Sequence, residues 1–313
     1  MACEDPVLAY YETWADSYDD TGDNNHNDGD GVVNDASLSD STARDDATHK
    51  EQPVEQPQRQ DTYICVARVA AAITARLQQR ISCNNEWMQG TQKLRVLDLG
   101  VGTGLASVAL VAALSPLLPA GMVPTDVIEL WGADLSPAML RVCAPKLKFH
   151  QLLVADLNTN LYDPVLYPSS PLAHNDQHHL FDVVLSVGTT EFVHDLGAFF
   201  RQVAHFLRKD EGIFGGTFPA NRVSLYPELT AVDVPTLLNL AKTSGGLTTI
   251  QVEQYAGWSV TSPLASTEGT VESSLAPTFT PTPLQARQQE TVHYLQLIGA
   301  SSSSVTFSPS PCL

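Results

Sequence analysis

The stretch Val96-Leu97-Asp98-Leu99-Gly100-Val101-Gly102-Thr103-Gly104 constrains this chain more than any other. An apolar run ends in a carboxylate, three glycines follow at alternate positions, and residues 105–114 carry an apolar helix signal. A buried strand that turns at once into a helix needs glycine where the backbone bends sharply or where a ligand approaches the main chain. The dinucleotide fingerprint is G-x-G-x-x-G. Here the spacing is G-x-G-x-G, with Leu105 in the place of that fingerprint's last glycine. An acid two residues before the first glycine repels a pyrophosphate and suits a ligand that carries positive charge.

The rest of the ordered-looking chain alternates strand and helix signals. Strands are predicted over residues 94–97, 127–131, 152–154, 181–187 and 212–218, with two more at 249–255 and 291–298. Helices are predicted over 63–80, 105–114, 136–143, 195–207 and 235–242. Ser136 is the expected N-cap of its helix with Pro137 in the first position, and Gly245-Gly246 closes the last one. Alternating β and α with apolar strands implies a doubly wound, mostly parallel sheet covered on both faces.

Three segments do not fit that pattern. Residues 19–61 hold 12 acids against three bases, half of the chain's net charge of −18, and lack any sustained apolar period. Such a segment buries too little surface to offset its ordering entropy and is expected to be disordered. Residues 259–288 are half Ser, Thr and Pro and read as an insertion, and residues 301–313 read as a frayed tail. The expected organisation is a cap helix at 1–18, the acidic insertion at 19–61, the main domain at 62–300 and the tail at 301–313.

Charge and cysteine usage exclude other classes. With 17 Lys and Arg against 35 Asp and Glu, the chain lacks the cations that a nucleic-acid binder uses to replace phosphate counterions. Its longest apolar stretch, residues 105–121, is interrupted by Ser107, Ser115, Pro116 and Pro119, too short and broken to span a bilayer. The five cysteines are scattered without a CxxC pair, so no disulfide scaffold or zinc site is expected. Together with an N-terminus lacking a basic and then apolar leader, this makes a cytoplasmic location the expectation.

On these residues the chain resembles the class I S-adenosylmethionine-dependent methyltransferases. The glycine spacing and Asp98 agree with S-adenosyl-L-methionine rather than NAD as cofactor. Trp131-Gly132-Ala133-Asp134-Leu135-Ser136-Pro137-Ala138-Met139 is similar to that family's second motif, and Val154-Ala155-Asp156-Leu157-Asn158 to its third. The resemblance implies a Rossmann-like doubly wound seven-stranded sheet, mostly parallel, with a C-terminal antiparallel hairpin. It also implies cofactor contacts: Gly100, Gly102 and Gly104 admit the cofactor, Asp98 faces its amino-acid end, and Asp134 holds the ribose hydroxyls. Leu135 and Met139 then pack on the adenine side, and Asp156 and Leu157 lie by the adenine amino group. Asp134 stands 30 residues past Gly104, further than usual, and a long connection over 115–126 is expected to absorb the difference.

Phe181 to Leu196 resembles the fourth-strand motif with its loop, which implies that Ser186 and Val187 lie beside the methionine moiety and the acceptor. Tyr11-Glu12-Thr13-Trp14-Ala15-Asp16-Ser17-Tyr18-Asp19 is similar to the lead-in of ubiquinone-biosynthesis-type small-molecule methyltransferases. Methyltransferase-like proteins related to the Williams–Beuren region protein share it. Tyr11, Trp14 and Tyr18 fall on one helix face, and the resemblance makes them a cap over the cofactor.

Methyl transfer requires in-line positioning and desolvation, and a general base only when the acceptor arrives protonated. The candidates are His194, Glu191 and Asp195 on the fourth-strand loop, with His194 favoured because histidine is the side chain suited to proton transfer at physiological pH. The loop lacks the Asn-Pro-Pro-Tyr and Pro-Cys signatures of enzymes acting on bases, so a small-molecule acceptor is expected. A protein acceptor and a non-catalytic cofactor-binding scaffold stand as alternatives, and the oligomeric state is left open. His174, His178 and His179 lack the cysteine neighbours of a metal centre, and residues 24–35 only faintly echo a calcium loop, so no metal is expected.

Overall fold

The computed structural model describes residues 15, 62–81, 92–118, 120–173, 180–209, 211–222, 230–263 and 287–301. The cap residues Tyr11, Trp14 and Tyr18, the acidic insertion, His174, His178, His179 and residues 264–286 lie outside them.

A long first helix, α1 (Thr62–Ile81), precedes β1 (Leu94–Leu99) and α2 (Leu105–Leu114). The second unit is β2 (Ile128–Asp134) followed by α3 (Pro137–Cys143). Next come β3 (Phe149–Val154), β4 (Val183–Ser186), α4 (Leu196–Phe206) and β5 (Ile213–Pro219). The helix α5 (Val234–Thr243) leads into the closing hairpin of β6 (Gln251–Pro263) and β7 (Arg287–Ala300).

The seven strands form one sheet in the order β3-β2-β1-β4-β5-β7-β6. Strands β1 to β5 pair in parallel, while β7 runs antiparallel between β5 and β6. The fold is Rossmann-like and doubly wound. Alternation along β1 explains the two layers. Leu94 and Val96 face the side covered by Val69, Ile73 and Leu77 of α1 and Leu110 and Leu114 of α2. Leu97 and Leu99 face the opposite side, under Phe199, Phe200, Val203 and Phe206 of α4. Along the central strands β1, β4 and β5 both faces are buried, so these need apolar residues in both registers and read as runs rather than alternations.

The α4 layer is aromatic. Phe200 stacks on Phe218 at 5.6 Å and meets Phe214 edge-on at 5.8 Å. Asp195 caps α4 through its Oδ1, which accepts the Ala198 N–H at 2.9 Å. Asp195→Ala is therefore expected to cost about 1 kcal/mol in a thermal or urea melt. A cost near zero would show that the exposed cap contributes nothing to α4.

Several boundaries differ from the sequence reading, among them β3, which begins at Phe149, and β4, which is confined to Val183–Ser186. Val127 ends a one-turn helix, Pro124–Val127, and β2 instead runs on to Asp134, because parallel pairing with β3 continues through Asp134 opposite Val154. The hairpin is longer than predicted: Ser259 pairs with Thr291 and Pro263 with Arg287, so both ends of the 259–288 segment belong to the β6–β7 ladder. Ser and Thr join a ladder as other residues do, and Pro263 lies at the end of β6, the edge strand, where its missing N–H is tolerated. Ser301, assigned to the tail, bridges to Leu247, and its hydroxyl donates to the Arg208 carbonyl.

Candidate functional site

Ligands of open α/β sheets sit at the carboxyl ends of the strands where the strand order reverses. Here that switch lies between β1 and β4. The β1 loop reaches it through three glycines, each with positive φ, and each is required for a different reason. A Cβ on Gly100 would lie 2.1 Å from Thr189 Oγ1, so this glycine lets the β4 loop cross against the β1 loop. A Cβ on Gly104 would lie 2.8 Å from Cys143 Sγ, so this one seats the start of α2 against α3. Gly102 is different: with φ +52, it has nothing within 4 Å of where its Cβ would stand. Across the switch, Gly188 at the end of β4 also has positive φ and open space on that side.

Two carboxylates frame this loop. Asp98, on β1, is fully buried, and its Oδ2 accepts from Ser107 Oγ of α2 at 2.8 Å. Its Oδ1 has no hydrogen-bond partner. Burial pushes the carboxyl up to about 7, the nearby charge of Asp134 adds to the rise, and the Ser107 hydrogen bond opposes it. Asp134 ends β2, where its Oδ2 accepts the Gly102 N–H at 2.8 Å and its Oδ1 the Ser136 N–H at 2.9 Å. It too is raised, because burial outweighs the backbone donors that favour its charged form. The loop closes on β2 a second time, as the Gly100 and Val101 N–H groups both donate to the Ala133 carbonyl. The extra residues between Gly104 and Asp134 are taken up by a 3-10 turn, Ser115–Leu117, and the one-turn helix before β2.

The other expected residues are distributed as follows. Leu135 is half-buried beside Asp134, and Met139 is buried in α3 with Ala138, where both pack against Ala15. Ala15 belongs to the lead-in motif and is the one residue of it that the structure describes. Asp156 Oδ1 accepts the Asn158 N–H at 2.8 Å in the turn after β3, and Leu157 packs on the aromatic layer. Ser186 is fully buried, and its hydroxyl donates to the Leu99 carbonyl at 2.8 Å, stitching β4 to β1. Val187 is half-buried against Cys65, Val292 and Tyr294.

The three base candidates part company, with Asp195 exposed as the cap of α4. His194 is exposed, with its N–H held by Asn158 Oδ1 at 2.8 Å. Glu191 is buried in the 3-10 turn Thr190–Phe192, and Tyr294 donates its hydroxyl to Oε1 at 3.2 Å. The β4 loop is fixed from below, as Gly188 N–H donates to Thr217 Oγ1 at 2.9 Å and Thr190 Oγ1 to the Thr217 carbonyl.

Four residues of this region were not singled out by sequence reasoning. Ser107 had a usable signal, since it is a polar residue inside the otherwise apolar α2. Asn158 ties the β3 loop to the β4 loop, donating to the Phe192 carbonyl at 3.1 Å as well as accepting from His194. Thr189 and Tyr294 act through contacts remote in sequence, which no local pattern announces.

No protein-family profile and no curated protein matches this chain. Solved structures of similar shape include the magnesium protoporphyrin IX methyltransferase of Synechocystis PCC 6803 with bound SAH. It is 13% identical, with a TM-score of 0.47, over 95% of this chain and 98% of that one. The CurJ carbon methyltransferase is 12% identical with a TM-score of 0.47, over 76% of this chain, which spans 55% of the length of that relative. The YcgJ protein of Bacillus subtilis is 13% identical with a TM-score of 0.42, over 70% of this chain and 97% of that one. These are likenesses of fold. Among the described residues, no helix is long and apolar enough to cross a membrane.

Proposed function

We propose that this chain is an S-adenosylmethionine-dependent methyltransferase acting on a small-molecule acceptor. The observation that carries the reading is the open space at Gly102, framed by the half-buried Asp134 and the buried Asp98, one of whose oxygens has no hydrogen-bond partner. A cradle of that kind suits a cation and opposes the pyrophosphate of a dinucleotide. Asp98 would face the cofactor's amino-acid end and Asp134 its ribose. Leu135, Met139, Asp156 and Leu157 would flank the adenine, Ser186 and Val187 would border the methionine side, and Tyr11, Trp14 and Tyr18 would cap the site. When bound, the cofactor supplies a methyl group already activated by a sulfonium.

The chain's own part is to orient and to exclude water. Where an acceptor must lose a proton, Glu191 and His194 are the proposed bases. Glu191 is buried and accepts from the Tyr294 hydroxyl, whereas His194 is exposed.

The bonds from Asp134 to two backbone N–H groups favour a second reading, in which the acid only braces the glycine loop of a non-catalytic protein. Calorimetric titration with S-adenosylmethionine, S-adenosylhomocysteine and NAD separates the two. Binding of the first two but not of NAD is expected. Asp134→Ala should weaken that binding by about 1.5–3 kcal/mol, the value of hydrogen bonds to a charged group. Unchanged cofactor affinity together with a lowered melting temperature would leave Asp134 as a brace. Absence of binding in the wild type would overturn the methyltransferase reading.

A further inference from the structure

Asp98 is in an unusual position for an ionised group. Its carboxyl is fully buried at the end of β1, its donors are the hydroxyl and backbone N–H of the one residue Ser107, both neutral, and Oδ1 has no partner. Buried carboxylates normally hold their charge only with a cation or several donors. The neighbouring elements supply neither. α2 contains no ionisable residue, and β4 contains none. β2 contributes Asp134, a like charge, while its Glu129 is paired with Arg95 at 3.0 Å. From α3, Cys143 faces Gly104, and the helix's one cation, Arg141, is exposed and does not act on Asp98. The arginines of α1 are engaged elsewhere: Arg68 with Glu253, Arg76 with the Thr249 carbonyl and Arg80 with Glu211. Among the described residues, the one charge that acts on Asp98 is that of Asp134.

We propose that Asp98 carries a proton in the free protein and gives it up to solvent when the cationic cofactor binds, so that the site exchanges one positive charge for another. This inference rests on the cofactor reading above and deepens it. The protonated carboxyl removes the uncompensated charge at Asp98 in the free protein, and the arriving positive charge is what makes ionisation favourable. The rise of this carboxyl to about 7 agrees with it. The exchange balances: one neutral carboxyl and one cationic ligand give an ion pair plus one proton taken up by buffer. Cofactor affinity is then coupled to pH. Below about pH 7 the dissociation constant should rise about tenfold per pH unit, because the proton competes with the ligand.

The test is calorimetric titration of the full chain with S-adenosylmethionine at pH 6 in two buffers of unlike ionisation enthalpy, phosphate and imidazole. At that pH the ligand's own α-amino and α-carboxyl groups, with values of about 8 and about 3.5, do not change state. The binding enthalpies should differ by the equivalent of about one proton released per ligand bound. Asp98→Asn should abolish that release. Ser107→Ala, which removes the donor favouring the charged form, should extend the pH dependence upward by about one unit. Equal enthalpies in the two buffers, with binding intact, would overturn the proposal while leaving the cofactor reading in place. Undiminished release from Asp98→Asn would overturn it too, by assigning the proton to another group. No binding in either buffer would overturn the cofactor reading itself.

Discussion

Gly100→Ala is expected to destabilise the protein by about 3 kcal/mol or more, whereas Gly102→Arg should leave the fold standing and abolish cofactor binding. Both positions have positive φ, at 75° and 52°, so each substitution carries left-handed strain of about 1–2 kcal/mol. The difference lies in the space around them. The new Cβ at position 100 would sit 2.1 Å from Thr189 Oγ1 and 2.5 Å from Thr189 Cβ, and so short a side chain cannot swing clear. Thr189 in turn precedes the 3-10 turn Thr190–Phe192, so relief would require both loops at the switch point to part. The side chain at position 102 would enter open space instead. Thermal melts paired with S-adenosylmethionine titrations read out both halves. Thr189→Gly in the Gly100→Ala background should recover the contact part of the loss and not the strain. Normal cofactor affinity in a folded Gly102→Arg protein would show that the open side of the loop is not the cradle.

The second large effect is at Asp98, and its sign depends on pH. The folded protein holds this proton up to about pH 7, whereas an unfolded aspartate releases it near about pH 4. Between those values the folded state binds more protons, so this group makes the protein less stable as pH rises, and above about pH 7 its cost is complete. The shift corresponds to about 4 kcal/mol at most. Asp98→Asn removes that cost, although its amide leaves a buried donor to satisfy, worth about 1–3 kcal/mol in the other direction. The variant should therefore gain on the wild type steadily from pH 4 to pH 7 and melt several degrees higher at pH 8. At the same pH it should bind cofactor more weakly by about 1.5–3 kcal/mol, having lost its charge. Melting curves across pH decide the matter. A variant that tracks the wild type at a constant offset would mean that Asp98 does not change its protonation on unfolding.

The sequence by itself determined the units of this fold and their order. Strand ends, helix caps and glycines are local properties: Ser136 accepts the Met139 N–H in the predicted cap, and Asp195 caps α4 in the same way. The β1 loop with Asp98, Gly100, Gly102 and Gly104 could be read directly, because a sharp turn into a helix needs those residue types in that order. Boundaries depending on pairing could not. β2 extends to Asp134 and the hairpin reaches Pro263 and Arg287 because a neighbouring strand supplies the hydrogen bonds.

Only the tertiary structure decided what the site residues do. The local pattern made the three glycines equivalent. Folding gave Gly100 to the Thr189 crossing, Gly104 to Cys143 and Gly102 to open space, because each faces a different element. His194 and Glu191 stand three residues apart, yet one is exposed and the other is buried against Tyr294 from 103 residues away. Ser107 and Asp134 set the environment of Asp98 from a different helix and a different strand. Proton affinity follows from burial and from neighbours in space, and a linear sequence contains neither until the chain has folded.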